Sequence, residues 1–299
     1  MSQQKKFGAI ALIGATNAGK STLTNAMVGE KVAITSHKVQ TTRFQIRGIA
    51  IHDHTQIVII DTPGFFKPRR AFDRAMIATA WDALQDVEIV ALIVDASKPF
   101  DDHKHQPYLD RILSETDEKD RILILNKVDQ TAKDKLLQLA AHLNDLCHFE
   151  RTFMVSALSG SGVGDILNYC AHVLPDSEWV YDADEMTTMP TRIMAAEITR
   201  EKIYERLHQE LPYKIAIETE SFDPADDGKG YAISQIVIIE DKKHKPIILG
   251  KQGQTLKKIG TMARETMMEY FQCPVHLKLH IQHREKWMDK DEAFSQFET

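Results

Sequence analysis

Cysteine is scarce in this 299-residue chain. Cys147, Cys170 and Cys273 are too few and too scattered for a disulfide framework or a metal cluster, which fits a reducing cytosol. Long apolar runs are missing too. The longest, around Ile89 to Val94, is strand-sized and far from the roughly 18 residues a membrane span needs. Lys5, Lys6 and the apolar residues 7–13 only faintly imitate a signal peptide, since the apolar part is short. No lipidation motif or basic amphipathic helix is present, which argues against a membrane as the main partner. Repeats and low-complexity tracts are absent, and 43% hydrophobic with 27% charged residues excludes disorder and collagen-like structure. The thirteen histidines offer no ligand set: His52 and His54 fall in a hairpin and His103 and His105 in a loop, all lacking companions.

What is present is length for about two domains, at roughly 150 residues each, and an uneven charge. Residues 1–175 are balanced, with 20 basic and 20 acidic side chains. Residues 176–241 carry 6 basic against 16 acidic, and residues 242–299 carry 11 against 7. The net charge of −6 therefore hides a locally basic C-terminal surface. Residues 1–175 alternate strand-like runs (7–13, 45–51, 56–60, 88–94, 121–125, 152–155) with helical patterns such as 20–27, 71–84 and 133–146. The connection from 52 to 55 is too short for a crossover. The expectation is an α/β domain: a mostly parallel sheet with one antiparallel strand, helices on both faces, and active loops at the strand carboxyl ends. Residues 176–190 are acidic, unpatterned and bracketed by prolines, as in a linker. Residues 191–299 give a helix (191–210), strands at 213–222 and 232–240, a helix at 255–271 and a strand at 275–282, an α+β module.

Four motifs carry chemistry. Gly14-Ala15-Thr16-Asn17-Ala18-Gly19-Lys20-Ser21, followed by Thr22, is a full GxxxxGKS between strand and helix. Its glycines let backbone amides curl around phosphates, Lys20 would reach the β- and γ-phosphates, and Ser21 would ligate Mg²⁺. Asp61-Thr62-Pro63-Gly64 ends the third strand. Asp61 would contact Mg²⁺ through water, and the Gly64 amide would sense the γ-phosphate. Alone, this sequence is an ordinary turn. Asn126-Lys127-Val128-Asp129 selects the base. Asp129 can accept the guanine ring NH and exocyclic amine, a donor pair adenine does not offer. Asn126 would brace the loops and the Lys127 stem would lie along the base. Ser156-Ala157-Leu158 follows the last strand, where the Ala157 amide could meet guanine O6.

In this order the four motifs resemble those of Ras-like GTPases. Together with Val39-Gln40-Thr41-Thr42-Arg43, Arg200-Glu201-Lys202-Ile203 and Gly250-Lys251-Gln252-Gly253, the chain resembles over nearly all its length the Era family, which joins a G domain to a type II KH domain. The resemblance implies that residues 40–43 form the first switch, with Thr42 favoured over Thr41 as the threonine that ligates Mg²⁺ and holds the γ-phosphate. The bland alternative is a strand lead-in. Position 65, where Ras-type enzymes orient water with glutamine, holds Phe65, so intrinsic hydrolysis is expected to be slow. In related members a phosphate-loop asparagine helps bind K⁺ in place of an arginine finger. Asn17 occupies that position, an Asn-turn being the equal alternative; Arg43 as a finger is the weaker one.

The resemblance further implies that Gly250, Lys251, Gln252 and Gly253 form the loop that clamps about four single-stranded nucleotides, with Lys257 and Lys258 on the following helix. A solvated lysine face beside a glycine turn is the alternative. Departures from the family pattern are Ala15-Thr16 in place of arginine–proline, and Gln252. The implied function is a cytoplasmic, Mg²⁺-dependent GTPase of small-subunit ribosome assembly. It would bind GTP and GDP, and its KH domain would grip the 3′ end region of 16S rRNA; DNA is not an expected partner. Loose peripheral contact with the inner membrane stays open. Two rivals stand beside it, a nucleotide-sensing RNA-binding module with negligible hydrolysis and a membrane-associated regulatory GTPase.

Overall fold

The computed structural model describes residues 4–38, 41–66, 68, 70–207, 211–226 and 228–289. Gln40 of the expected switch, Val39 before it, and residues 208–210 at the end of an expected helix lie outside them. Contacts divide the chain into two units, the described residues of Met1–Pro68 with Ala75–Thr188 and those of Arg69–Arg74 with Met189–Thr299.

The first unit is built on a six-stranded sheet in the order β2-β3-β1-β4-β5-β6. Its strands are β1 (Lys6–Gly14), β2 (Ile46–His52), β3 (Thr55–Asp61), β4 (Ile89–Asp95), β5 (Asp120–Asn126) and β6 (Arg151–Val155). All neighbours are parallel except β2 with β3. The central strands β1, β3, β4 and β5 are mostly apolar because both their faces are covered. Ile10, Leu12, Ile57, Ile59, Ile122 and Ile124 point to one side, against α1 (Lys20–Val28) and α5 (Val163–Val173). Ala11, Ile13, Val58, Val90, Leu92 and Leu123 point to the other, against residues of α2 (Ala71–Asp82), α3 (Asp102–Glu115) and α4 (Lys133–Leu146). The register sets Leu12 beside Asp61 and Asp95 beside Asn126, with Val155 next along. Every motif of the first unit thus opens at the same carboxyl edge.

One expectation is corrected. His103 and His105 sit in α3 rather than in a loop. Pro107 lies inside that helix, where its ring removes a hydrogen bond, yet Leu109 and Ile112 are buried in the core and packing overrides the local cost. The acidic stretch expected as a linker is hydrogen-bonded to the first unit as far as Thr187. Gln56, fully buried, accepts the amides of Val180 and Tyr181 at 3.0 Å each and donates to the Tyr181 carbonyl at 2.9 Å. The Ile49 amide donates to the Met186 carbonyl at 2.8 Å, and Thr187 Oγ1 donates to the Arg47 carbonyl at 2.8 Å.

The second unit runs α6 (Thr191–Arg206), β7 (Ile215–Pro224), β8 (Tyr231–Ile239), α7 (His244–Leu249), α8 (Gln254–Phe271) and β9 (Val275–His283). Its sheet is ordered β7-β8-β9, with β7 antiparallel and β9 parallel to β8. Ile203, Ile215, Val237, Ile248 and Ile259 form the core between helices and sheet.

Candidate nucleotide and RNA sites

The turn from β1 into α1 is strained in the way a phosphate loop demands. Gly14 and Gly19 have φ of 150° and 100°, and Asn17 adopts a left-handed φ of 62°. A Cβ on Gly14 would stand 2.3 Å from the Ile93 carbonyl oxygen, and one on Gly19 only 2.1 Å from Asn126 Nδ2. Both glycines are therefore required by neighbouring strands as much as by any ligand. Ala18 is buried. Lys20, 6% exposed, donates to the carbonyls of Gly14 at 3.1 Å and Ala15 at 3.0 Å. Asn17 Nδ2 donates to the His37 carbonyl at 2.9 Å.

Three oxygens meet beside Lys20. Ser21 Oγ donates to Asp61 Oδ2 at 2.6 Å, Thr42 Oγ1 reaches the same oxygen at 3.3 Å, and the two hydroxyls lie 2.8 Å apart. Thr41 turns elsewhere, donating to the Lys38 carbonyl at 2.8 Å. The other carboxylate oxygen, Asp61 Oδ1, is buried with no hydrogen-bond partner. Burial raises the Asp61 pKa to about 6, against the opposing pull of Lys20, Ser21 and Thr42. Burial also lowers that of Lys20 to about 8, with Asp61 opposing. A carboxylate with two hydroxyls on one oxygen and no partner on the other is a hard-oxygen donor set of the kind Mg²⁺ takes. Thr62 Oγ1 donates to the Leu12 carbonyl at 2.8 Å, and Pro63 carries the chain to Gly64. There a Cβ would lie 2.7 Å from Thr16 backbone atoms, so the loop after β3 presses on the glycine loop after β1. Thr16, Lys20, Ser21, Thr22, Thr42 and Gly64 enclose a cavity of about 50 Å³. That is water-sized, and a phosphate would part these segments.

Phe65 faces away from this cavity. Its ring is stacked between Trp81 and Tyr108, with centroids 4.8 Å from each, and its amide donates to the Gly14 carbonyl at 3.0 Å.

The loops expected to bind the base are lashed to the glycine loop after β1. Asn126 Nδ2 donates to the Ala18 carbonyl at 2.8 Å, while Asn126 Oδ1 accepts the amides of Lys127 at 2.8 Å and Ala157 at 3.0 Å. The Ala157 amide, expected to face guanine O6, thus serves Asn126 here. Lys127, at φ 64°, donates to the Asn17 carbonyl at 2.9 Å and to Asp95 Oδ2 at 2.7 Å. Asp129 is exposed at the mouth, and a hydrogen bond from Ser156 holds its carboxyl below the usual range. Ser156 is buried and Leu158, 83% exposed, forms the rim. Asp95 was missed from sequence. Its only signal is an acidic residue at a strand end, which becomes meaningful once the register sets it beside Asn126.

In the second unit, Gly250 to Gly253 joins α7 to α8 by a tight turn. Gly250 has φ 69° and ψ −176°, Gln252 φ 52° and Gly253 φ 75°. Lys251, Lys257 and Lys258 are exposed beside it. The amino end of the 18-residue α8 points its amides and positive dipole into the turn.

A family model described as a 50S ribosome-binding GTPase matches residues 9–127, and a KH domain model matches residues 210–288. GTPase Era of Sinorhizobium medicae (strain WSM419) is 49% identical over 97% of this chain and 92% of its own length. The chain belongs to the Era family. GTPase Era of Bradyrhizobium sp. (strain ORS 278) is 47% identical over 97% of this chain and 93% of its own. Among solved structures, a point variant of Aquifex aeolicus Era bound to GDP.AlF4⁻ superposes with a TM-score of 0.91 at 30% identity, over 98% of both chains. An Era in complex with MgGDPNP and nucleotides 1506–1542 of 16S ribosomal RNA gives 0.90, also at 30% and over 98% of both. As a member of the Era family this chain is a GTPase with a C-terminal KH domain. Among the described residues no helix is long and apolar enough to cross a membrane.

Proposed function

We propose that this chain is a GTP-driven, RNA-binding switch of small-subunit ribosome assembly, with residues 1–175 taking GTP or GDP, 176–190 linking, and the KH domain (191–299) gripping the 3′ end region of 16S rRNA. The observation that carries it is the meeting of Ser21, Thr42 and Asp61 beside Lys20. A phosphate-loop hydroxyl, a first-switch hydroxyl and the second-switch carboxylate share one point. The relative solved with MgGDPNP and 16S RNA supports both ligands.

Ser21, Thr42 and Asp61 would hold Mg²⁺, which would supply charge neutralisation on the β- and γ-phosphates. Lys20 would exchange two neutral carbonyl acceptors for phosphate oxygens, a stronger charge-assisted bond. The Gly64 amide would follow the γ-phosphate, so that its contacts order both switches and its loss releases them. Asp129 would select guanine once the base displaces water from it. Phe65 cannot orient water, so we propose K⁺ at Asn17 as the activating ion. The Asn17 amide already spans from the phosphate loop to His37 at the approach to the first switch. Lys251, Gln252, Lys257 and Lys258, between the small residues Gly250 and Gly253, would take the RNA backbone. The setting is the cytoplasm.

The test is binding of a short single-stranded RNA copied from the 3′ end of 16S rRNA, with the protein loaded with a non-hydrolysable GTP analogue or GDP at fixed salt. Tight binding with the analogue, weaker binding with GDP and loss in Gly253→Asp are expected; no RNA binding in either state would overturn the reading. Hydrolysis is expected to be faster in KCl than in NaCl, with Asn17→Ala blind to the change. The family description of a 50S-binding GTPase favours one second reading, which purified subunits separate: retention on 50S rather than 30S particles would move the function to the large subunit.

A further inference from the structure

We infer that Asp95, at the carboxyl end of β4, is a positioning residue for the guanine nucleotide that acts through Lys127. The inference rests on the guanine-nucleotide reading above. Lys127 is the side chain that would lie along the base, and its ammonium has two partners of different kinds. One is the Asn17 carbonyl in the phosphate loop at 2.9 Å; the other is Asp95 Oδ2 at 2.7 Å. The charged contact is sheltered, with the two side chains 28% and 10% exposed. A flexible lysine stem held at its tip loses its choice of rotamers before the base arrives, so less entropy is lost on binding.

Asp95 is itself fixed. Its Oδ1 accepts the Ser97 amide at 3.1 Å and hydroxyl at 2.5 Å, and Lys98 lies 3.3 Å from Oδ2. The backbone repeats the link, for Asp95 is in register with Asn126 and the Ala96 amide donates to the Asn126 carbonyl at 2.9 Å. Burial alone would push this carboxyl up. Hydrogen bonds from Lys127 and Ser97 outweigh it and hold the carboxyl below the usual range, so it is charged at neutral pH. The carboxylate thus neutralises Lys127 and aims it. Because it touches neither phosphates nor reacting atoms, its contribution is to uniform binding of GTP and GDP.

The test uses the full chain, with GDP affinity, GTP turnover and nucleotide-free melting measured for wild type, Asp95→Asn, Asp95→Glu, Lys127→Met and the Asp95→Asn/Lys127→Met double variant. Losing one charged hydrogen bond predicts GDP binding about ten-fold weaker in Asp95→Asn. KM should rise by the same factor with kcat unchanged, and Asp95→Glu should recover most of the loss. In the Lys127→Met background the second change should cost nothing further, because the partner is already gone. Multiplying costs in the double variant, or a fall in kcat at unchanged KM, would overturn the inference. Asp95→Ser, which keeps an acceptor for the Ser97 amide, replaces Asp95→Asn if that variant does not fold. A wild type that binds GDP no better than the Asn variant overturns the role of Asp95 alone. A wild type that binds no GDP overturns the nucleotide reading and this inference with it.

Discussion

Asp61 and Lys20 are both buried and both titrate toward neutrality, and the consequence is a pH window. For Asp61, a folded pKa raised to about 6 from 3.8 means its stabilising contribution is present below pH 3.8 and lost as pH rises through 6. For Lys20, a folded pKa lowered to about 8 from 10.5 means the contribution is present above 10.5 and lost as pH falls through 8. Between about pH 6 and pH 8 both charges stand buried, and the nucleotide-free site is least favourable there. A divalent cation beside Asp61 relieves that cost but requires the carboxylate ionised. Mg²⁺-dependent tightening of GDP is therefore expected to grow as pH rises from 5 to 7, with a midpoint near 6, and to flatten in Asp61→Asn. Calorimetry across that range checks it; an unchanged midpoint in the variant would assign the titration to another group.

The turn between α7 and α8 separates a glycine needed by the fold from one needed by the ligand. A Cβ on Gly250 would lie 2.1 Å from Thr255 Oγ1, on a backbone at φ 69°, ψ −176° that is essentially closed to other residues. Gly253 has open space around its Cβ position, and φ 75° with ψ 8° costs a larger residue only about 1 kcal/mol. Gly250→Ala is thus expected to lower the melting temperature of the second unit. Gly253→Asp should melt near wild type yet lose RNA, since its carboxylate would face the proposed path of the RNA phosphates. Melting curves beside RNA titrations check both, and a Gly253→Asp chain that fails to fold would refute the division. The same elements show what was legible in the sequence. Strands whose apolar runs are bounded by turns were placed within a residue or two, as in β4 and β9, and the turn between β1 and α1 was marked by glycines at fixed offsets. Helix α3 was not legible because its first turns are polar and interrupted by Pro107, and its apolar anchors, the buried Leu109 and Ile112 among them, come late in it. The Lys127–Asp95 contact was not legible because a strand-end aspartate acquires meaning only from its neighbour in the sheet.

For the whole molecule the open question is how nucleotide state could reach RNA affinity, and the fastened stretch before α6 supplies one answer within the first unit. Thr42, proposed as a Mg²⁺ ligand, is followed within four residues by β2, whose outer edge bonds Met186 and Thr187. On β3, Gln56 holds Val180 and Tyr181 with three hydrogen bonds. A shift of the proposed first switch would thus pull on the strand that carries the strap, and the chain continues from the strap into Thr191 of α6. Gln56→Ala removes all three side-chain bonds from a buried position, at a cost of about 1–3 kcal/mol, while leaving every group proposed to touch nucleotide or RNA in place. The variant is expected to hydrolyse GTP at the wild-type rate and still bind RNA, but the ratio of its RNA affinities with GTP analogue and with GDP should fall toward one. Hydrogen exchange sharpens the reading: in wild type the protection of α6 should differ between analogue and GDP, and in Gln56→Ala it should not. If the affinity ratio survives in the variant, the strap is only an anchor, and the nucleotide signal travels by another path.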